Sequence, residues 1–408
     1  MDLSVLETAH KDVLFLLALE LDIPDLLNLC RTNTRMDQLI CQNKNVWIRK
    51  LIQFYPNISE LDKDTDSFRN EFGITNISKL YSLIYSLNVV KNWLNQYIGG
   101  NEEPYHSLID IYKLERITLN PVYTSQHHLE ENKVKEIPKE LGDLINLEDI
   151  DISYGEIQEI PKELGKLTNL RKLHLNKNQI KKLPKELGNL TNLKFLWLDG
   201  NQIEEIPEEL GNLVNLIDFG FTKNQIKIIP RGFAQELGNF HKLNRLFLDE
   251  NQIEEIPREL GKLISLEVFK LSDNQIEEIP SELSNLINLR YLLLRNNQIK
   301  EIPKNLTNNL TKLISIDLAN NQIKEIPDNF TEGLNNLREL DLSDNQIEQI
   351  PKEFGNLSNL RELNLSNNQI SQIPLELRQL RRLDRLYLSG NKIHSKPEAL
   401  KHLNILLN

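Results

Sequence analysis

Cysteine is almost missing from this 408-residue chain: only Cys30 and Cys41 occur, both in an apolar stretch near the N-terminus. Two cysteines cannot supply the disulfide-rich end caps that extracellular repeat proteins commonly carry, so a reducing, cytoplasmic setting is expected, with both thiols buried and inert. Positive charge is also short, with 48 Lys and Arg against 59 Asp and Glu and a formal net charge of −11. A nucleic-acid partner is therefore not expected, because tracking phosphates needs a concentrated basic surface. No stretch approaches the roughly 18 uninterrupted apolar residues of a spanning helix. Met1 to His10 contains acidic residues and no basic segment leading into an apolar run, so neither a membrane nor a secretory signal is expected. Phosphate-cradling G-x-x-x-x-G-K-[ST] and G-x-G-x-x-G runs are absent, as are H-E-x-x-H and C-x-x-C metal spacings. The neighbouring pair His127-His128 would point to opposite faces of a strand. No cofactor, no metal and no catalytic residue is expected, and the chain reads as a binding protein rather than an enzyme.

Repetition is what the sequence has in abundance. The motif L-x-x-L-x-L-x-x-N-x-I-x-x-I-P recurs with its Asn at positions 132, 178, 201, 224, 251, 274, 297, 321, 345, 368 and 391, and Gly155 fills the slot between the first two. The step is mostly 23 residues, widening to 27 between 224 and 251 and to 24 between 321 and 345. A period of this length marks a stacked solenoid, in which each unit buries its apolar face only against its neighbours. In Leu196-Trp197-Leu198 the leucines point one way and the tryptophan the other, because side chains alternate along a strand. The Asn is expected to turn inward and satisfy backbone groups of adjacent coils that would otherwise be buried unpaired. Each coil's proline, as in Ile206-Pro207, is expected to occupy the first position of a short convex helix. Glu208-Glu209 then place acid in that helix's first turn and Gly211 closes it. The paired glutamates Glu204-Glu205, Glu254-Glu255 and Glu277-Glu278 recur with the coil, as a solvated face does.

Counting outward from each L-x-x-L-x-L places Phe195, Trp197, Phe247, Val268, Tyr291 and Leu293 on the open side of the sheet, and Asp317, Glu339, Asp341, Glu362 and Asn364 at the corresponding later positions. Large apolar side chains there add nothing to the core, so the first set is the candidate partner-binding surface. The repeats I-P-x-E-L-G-N-L-x-N-L resemble the plant intracellular Ras-group type of leucine-rich repeat from about Leu114 onward. That resemblance implies an α/β horseshoe solenoid with a parallel sheet on its concave face, serving as a protein-binding scaffold. Lys396-Pro397 breaks the apolar-Pro pattern, and Leu400, Leu403 and Leu406 suggest a closing amphipathic turn.

Residues 1 to about 112 lack this period. Val13, Leu14, Leu16, Leu17 and Leu21, then Leu26, Leu27 and Leu29, then Met36, Leu39 and Ile40, carry helical spacing interrupted at Pro24. A second helical stretch from Ile77 to Leu94 ends before the breaker Gly99-Gly100-Asn101. The run Asp12 to Cys30, its continuation through Arg35-Met36, and Val46-Trp47-Ile48 resemble an F-box, a small helical module that docks on the Skp1 adaptor of a cullin-based ubiquitin ligase. Similar heads joined to repeats occur in proteins of giant DNA viruses of the mimivirus kind, which would make the setting host cytoplasm. Carried over from that resemblance, the adaptor contacts would be Leu14, Leu17, Leu21, Pro24, Leu26, Leu27 and Trp47. The family's opening Leu-Pro is replaced here by Ala9-His10. The expected organisation is an F-box-like all-α head over 1–55, a helical linker over 56–112 and the leucine-rich-repeat solenoid over 113–408. The expected function is a substrate receptor binding a Skp1-like adaptor and an unidentified substrate protein. The alternatives are a repeat scaffold with no ubiquitin link, its head only a cap on the first coil, and an autonomous ligase.

Overall fold

The computed structural model describes residues 14, 18, 21, 23–32, 36–51, 58–97, 105, 107–119, 133–230, 241–394, 397–400 and 405–406. His127-His128, Gly99-Gly100-Asn101, Leu17, Leu403 and the added residues of the 27-residue coil lie outside them, as do the side chains of Pro24 and Leu27. The chain forms two compact units. One comprises residues 1–116, 126–132 and 138–147; the other 117–125, 133–137 and 148–408.

The first unit is helical: α1 (Ile23–Thr32), a short π-helix (Asp37–Cys41), α2 (Lys44–Leu51), α3 (Ile58–Phe72), α4 (Ile77–Tyr97) and α5 (Leu108–Tyr112). Helix α4 is buried nearly all round, through Leu80, Tyr81, Ile84, Leu87, Val90, Trp93 and Leu94 among others, which identifies it as a central helix rather than a surface one. Asn76 caps it, its side-chain oxygen accepting from the Lys79 N–H at 2.9 Å. Elements α1, the π-helix, α2, α3 and α5 all pack on α4. The expected linker over 56–112 is thus the core of this unit, and the boundary at 55/56 is not one in the structure. Segment 138–147 completes it: Leu141, Leu144 and Leu147 are wholly buried, and the Ser86 hydroxyl donates to the Asp143 carboxylate at 2.7 Å. Within this unit α4 therefore covers the 3-10 turn of segment 138–147. Cys30 and Cys41, 11 residues apart, are joined as a disulfide between α1 and the π-helix, correcting the reading of two separate thiols.

The second unit carries a parallel sheet of thirteen strands in strict sequence order, from β1 (Arg116–Thr118) and β2 (Asp149–Asp151) through β3 (Lys172–His174), β4 (Phe195–Trp197), β5 (Asp218–Gly220), β6 (Arg245–Phe247), β7 (Val268–Lys270), β8 (Tyr291–Leu293), β9 (Ser315–Asp317), β10 (Glu339–Asp341), β11 (Glu362–Asn364), β12 (Arg385–Tyr387) to β13 (Ile405–Leu406). This is the expected α/β repeat solenoid. In β1 to β12 the middle residue of each strand and the apolar residue after the strand are buried, as Leu196 and Leu198 are at 0% exposure. Each such leucine contributes about 1.5–3 kcal/mol of burial, repeated coil after coil. The expected closing turn at the C-terminus includes a further strand, β13, paired with β12.

The Asn ladder is present as expected. Asn274 donates to the carbonyls of Leu248 and Leu271 at 2.9 and 3.1 Å and accepts from the Ile253 N–H at 2.9 Å. The same three contacts recur at Asn178, Asn201, Asn224, Asn251, Asn297, Asn321, Asn345, Asn368 and Asn391. Gly155 replaces Asn because a Cβ there would lie 2.6 Å from both the Val134 carbonyl and Asn178 Oδ1.

Two mechanical expectations need correcting. In the described coils other than that of Pro303, where residues 304–309 form plain turns, the convex elements are 3-10 turns and the proline sits one position ahead of the turn as its cap, in extended backbone (Pro207 φ −61°, ψ 138°), with its carbonyl accepting from Leu210. The coil glycines do not terminate these turns by adopting positive φ. Gly165, Gly188 and Gly261 are required because an added Cβ would come within 2.2–2.3 Å of the next coil's glutamate carbonyl. A second ladder, not foreseen, links coils on the other edge: Asn192, Asn215 and Asn288 donate to the carbonyls of Thr168, Thr191 and Ile264 at 2.8–2.9 Å.

Candidate protein-interaction face

Strand alternation sets the open face of the sheet. In β3, β4, β7 and β8 the first and third residues are half-buried and the second is buried, so Phe195, Trp197, Val268, Tyr291 and Leu293 stand where counting placed them. Phe247 of β6 does too. Parallel register aligns them in two columns. Phe195, Asp218, Arg245, Val268 and Tyr291 form one; Trp197, Gly220, Phe247, Lys270 and Leu293 form the other.

The aromatic part is organised by stacking. His174 lies on Trp197 with ring centroids 4.4 Å apart and planes 11° from parallel, and Phe195 meets Trp197 edge-on at 6.4 Å. Lys172 sits over Phe195 at 6.0 Å and Lys270 over Phe247 at 5.3 Å, contacts in which a cation is held against the ring's negative face. These neighbours cover part of the rings, yet all six candidate residues keep solvent-facing surface. Trp197 Nε1 and His174 Nε2 are buried with no hydrogen-bond partner; an unpaired buried polar group costs about 1–3 kcal/mol.

Burial governs the charged groups on the same face. It holds the His174 imidazole below its ordinary pKa and so favours the neutral ring. Burial raises Asp199, against the opposing pull of the Thr222 N–H it accepts at 2.7 Å. Asp218 is 1% exposed and also raised by burial, partly offset by Arg245 at 2.9 Å. Asp249 is pushed up to about 6, chiefly by burial. Asp317 is raised by burial first and by neighbouring Asp341 as well. These carboxylates have already lost much of their hydration, so a partner covering the face adds less desolvation than it would on an ordinary acidic surface.

Past β8 the face changes character. Leu293, Asp317, Asp341 and Asn364 are aligned across β8 to β11, with Glu339 exposed beside them. Glu362 is paired with Arg385 at 3.1 Å, while Asp317, Glu339 and Asp341 make no ion pair among the described residues. A recess of about 900 Å³ lies elsewhere, among Glu254, Glu255, Glu277 and Glu278 on the coil edge; among the described residues no cluster of His, Cys, Asp and Glu is arranged to hold a metal.

The head residues are placed differently from what the resemblance implied. Leu14, Leu26 and Trp47 are 0% exposed, so they build the module's core and are not an adaptor surface. The Trp47 indole N–H donates to the Cys41 carbonyl at 2.6 Å and its ring stacks on Tyr81 at 6.2 Å. Leu21 is half-buried.

A sheet of short parallel strands, an inward Asn ladder and 3-10 turns define the leucine-rich-repeat class, and comparison agrees. Family models described as leucine-rich repeat region, leucine rich repeat, and leucine rich repeats in two copies match residues 127–246, 241–299 with 287–347, and 335–379. The chain is a leucine-rich-repeat protein. Among solved structures it is similar to an internalin of Listeria monocytogenes (TM-score 0.63, 26% identity, 80% of this chain and 87% of that one). It is also similar to a leucine-rich-repeat protein of Leptospira interrogans (0.51, 29%, 76% and 93%). A plant peptide hormone receptor in complex with RGF2 matches as well (0.53, 29%, 72% of this chain), of which the chain spans 55%. Among curated proteins no sequence matches. Among the described residues no helix is long and apolar enough to cross a membrane.

Proposed function

We propose that this protein is a receptor for another protein, which it holds on the open face of its sheet. The observation that carries this is the contiguous patch of Phe195, Trp197, Phe247, Val268, Tyr291 and Leu293, half-buried on strands β4 to β8 and not consumed by the core. Aromatic anchors in partly dehydrated surroundings are the usual centres of binding energy. A hormone-receptor neighbour crystallised with its partner is compatible with this use of the fold. Affinity capture with the full chain, alongside a Trp197→Ala, Phe247→Ala double variant that melts normally, tests it: partners held by the parent and lost by the variant support the reading. Retention of every partner would overturn it.

We further propose that the head presents the array to a Skp1-like adaptor, so that the captured protein is brought to a cullin-based ligase by effective concentration alone. This rests on the F-box resemblance of residues 12–51 and on the helical, internally packed form of those described within 23–32 and 36–51. Because Leu14, Leu26 and Trp47 are core, the docking surface in this reading is made by the exposed side of α1, including Asp25, Asn28 and Arg31. A specific observation favours the alternative of a capping head without ubiquitin linkage: α4 and Ser86 cover the first convex turn. Calorimetric titration of the full chain with Skp1 separates the two. Micromolar association that Arg31→Glu weakens supports the ligase reading, and no association leaves the scaffold.

A further inference from the structure

The edge by which the chain enters each strand carries side chains that neither the core nor the open face uses. Here the second Asn ladder does more than join coils. Asn215, Asn288 and Asn359 donate to the carbonyls of Thr191, Ile264 and Asn335, and the side-chain oxygen left to each accepts from a cation of the next coil: Lys242 and Lys312 at 2.7 Å and Arg382 at 2.5 Å. Each cation is thus held by a neutral amide, which orients it without cancelling its charge. Lys312 stands in a recess of about 310 Å³ beside β8 to β10, which Arg290, Arg338, Ile314 and Glu267 also line. Glu267 alone among its lining residues is acidic, and it pairs with Arg290 at 3.5 Å. Arg338 makes no ion pair among the described residues. Three cations against one carboxylate make a positive recess in a chain whose formal net charge is −11. Next to it the edge turns aliphatic: Ile264 and Ile287, at the same position in successive coils, are each 49% exposed. Elsewhere in this unit that position holds polar residues such as Thr191, Thr311 and Ser358, so the construction of the coil does not call for isoleucine.

We propose that this edge, from the coil of β7 to that of β10, docks an acidic polypeptide segment whose carboxylates meet Lys312 and Arg338 and whose aliphatic side chain covers Ile264 and Ile287. The site is separate from the aromatic patch of the open face and does not depend on it. Charge complementarity identifies the occupant. Because the Asn288 amide already fixes Lys312, pairing it with a carboxylate forfeits less side-chain freedom than pairing a free lysine. The aliphatic half of the site decides between anions. A nucleic-acid backbone leaves Ile264 and Ile287 in water, and a polyanion tracking the edge meets Glu267 and the exposed Glu339. A short segment with one or two carboxylates and one aliphatic group avoids both penalties. Its length follows from the strand spacing: β7 to β10 is three intervals, about 14 Å, and an extended chain advances about 3.3 Å per residue, so the anchors lie within about five residues of each other. Cations along this edge also steer an acidic partner before contact.

The test selects random twelve-residue peptides displayed on phage against the full chain, discards those that also bind the double variant Lys312→Glu with Arg338→Glu, and measures the survivors by fluorescence anisotropy as synthetic peptides. The expected consensus places Asp or Glu within about five residues of Leu, Ile, Val or Met. Affinity should fall at least about tenfold on the double variant, fall about threefold on Ile264→Ser with Ile287→Ser, and weaken steadily as salt is raised. All four positions are at the surface; where charge reversal disturbs the melt, Lys312→Gln with Arg338→Gln removes the charge alone and should act in the same direction. Binding should be unchanged on Trp197→Ala with Phe247→Ala. Peptides that this aromatic variant loses would belong to the open face, which would overturn the edge site and leave the open-face reading standing. Survivors that are basic or uncharged, or no survivors at all, would also overturn it. So would a duplex oligonucleotide that binds the parent, is lost on the double variant and displaces the acidic peptides at equal concentration, since the edge would then recognise phosphate.

Discussion

The helical unit and the repeat unit solve the same problem of burying apolar surface in opposite ways. In the helical unit the core is made of single, unrepeated contacts: Trp47 against Tyr81, Tyr112 edge-on to both Phe68 and Phe72, and one disulfide between α1 and the π-helix. In the repeat unit the core contacts recur, because the leucines, the ladder Asn and the capping prolines are copied along the stack. Loss of one contact in the first removes something that nothing else supplies. Loss of one in the second weakens an interface between two coils and leaves the others as they were.

The largest effect is therefore expected at Trp47. Truncation to Ala empties a fully buried site, leaves the Cys41 carbonyl without its donor, and should cost about 3–5 kcal/mol. Amide exchange read by mass spectrometry should show α1, α2 and α4 losing protection together while β3 to β11 keep theirs. Equal loss in both units would erase the distinction between them. Next in size is Asn274→Ala, which strands the buried Ile253 N–H and takes one of two donors from the Leu248 and Leu271 carbonyls, which keep those from Asn251 and Asn297, and should cost about 1–3 kcal/mol. Here protection should fall in the coils of β6 to β8 and recover outward. A melt identical to the parent's would contradict the ladder's role.

The same contrast explains what the sequence revealed. Periodicity made the solenoid, the ladder and the open-face positions of Phe195 through Leu293 readable, because a repeated constraint leaves a repeated residue. It was silent where the backbone alone differs. Pro207 looks the same one residue before a 3-10 turn as at the start of an α-helix. Gly188 looks like a terminator, although its cause is the Glu209 carbonyl of the next coil. In the helical unit there is no period to average over, so matching by resemblance selected Leu14, Leu26 and Trp47 correctly as important and wrongly as surface. Resemblance reports that a position is constrained, and a core position is constrained as strongly as a docking one. In helix α4, which fell within the expected linker, Ser86 and Asn88 are polar by type yet both are buried and bonded, Ser86 to the Asp143 carboxylate at 2.7 Å and Asn88 to the Ile84 carbonyl at 2.8 Å.

A third prediction concerns charge that the repeat unit carries at a cost. Asp249 is raised to about 6, first by burial, with Asp273 adding and the Ser272 N–H and Lys270 opposing. A carboxyl whose folded pKa lies above its unfolded value binds its proton more tightly when folded, so it costs stability once ionised, above about pH 6, and progressively less as pH falls toward 4. Asp249→Asn keeps an oxygen for the Ser272 N–H at 2.9 Å and removes the charge. The variant should be more stable than the parent at pH 8 by about 1–2 kcal/mol, after allowance for solvent at this half-buried position. That gain should shrink steadily between pH 6 and pH 4 in denaturant titrations. A gain independent of pH would mean that the carboxylate is not the cause.

The smallest effect tests how far the additive picture of the repeat unit extends. Immediately before each ladder Asn the backbone turns left-handed, at Lys177, Lys223, Glu250, Asp273, Asn296, Asn320, Asp344 and Asn367 with φ between 51° and 61°, and at Gly200 and Gly390 with φ near 70°. For a side chain with a Cβ this region costs about 1–2 kcal/mol, whereas glycine enters it freely and loses about 0.5–1 kcal/mol of chain entropy on folding. Lys223→Gly should thus stabilise by about 0.5 kcal/mol, since the ion pair it gives up with Glu250, at 3.5 Å, joins two exposed side chains and contributes little. Lys177→Gly should gain less, because Lys177 also sits over the Tyr154 ring at 4.5 Å and that contact is lost. Chemical denaturation of the two single variants and the double variant measures all three. The sites lie two coils apart with no shared partner, so the double gain should equal the sum of the singles; a shortfall would show that coils beyond nearest neighbours are coupled, and that the repeat unit behaves more like the helical one than its periodicity suggests.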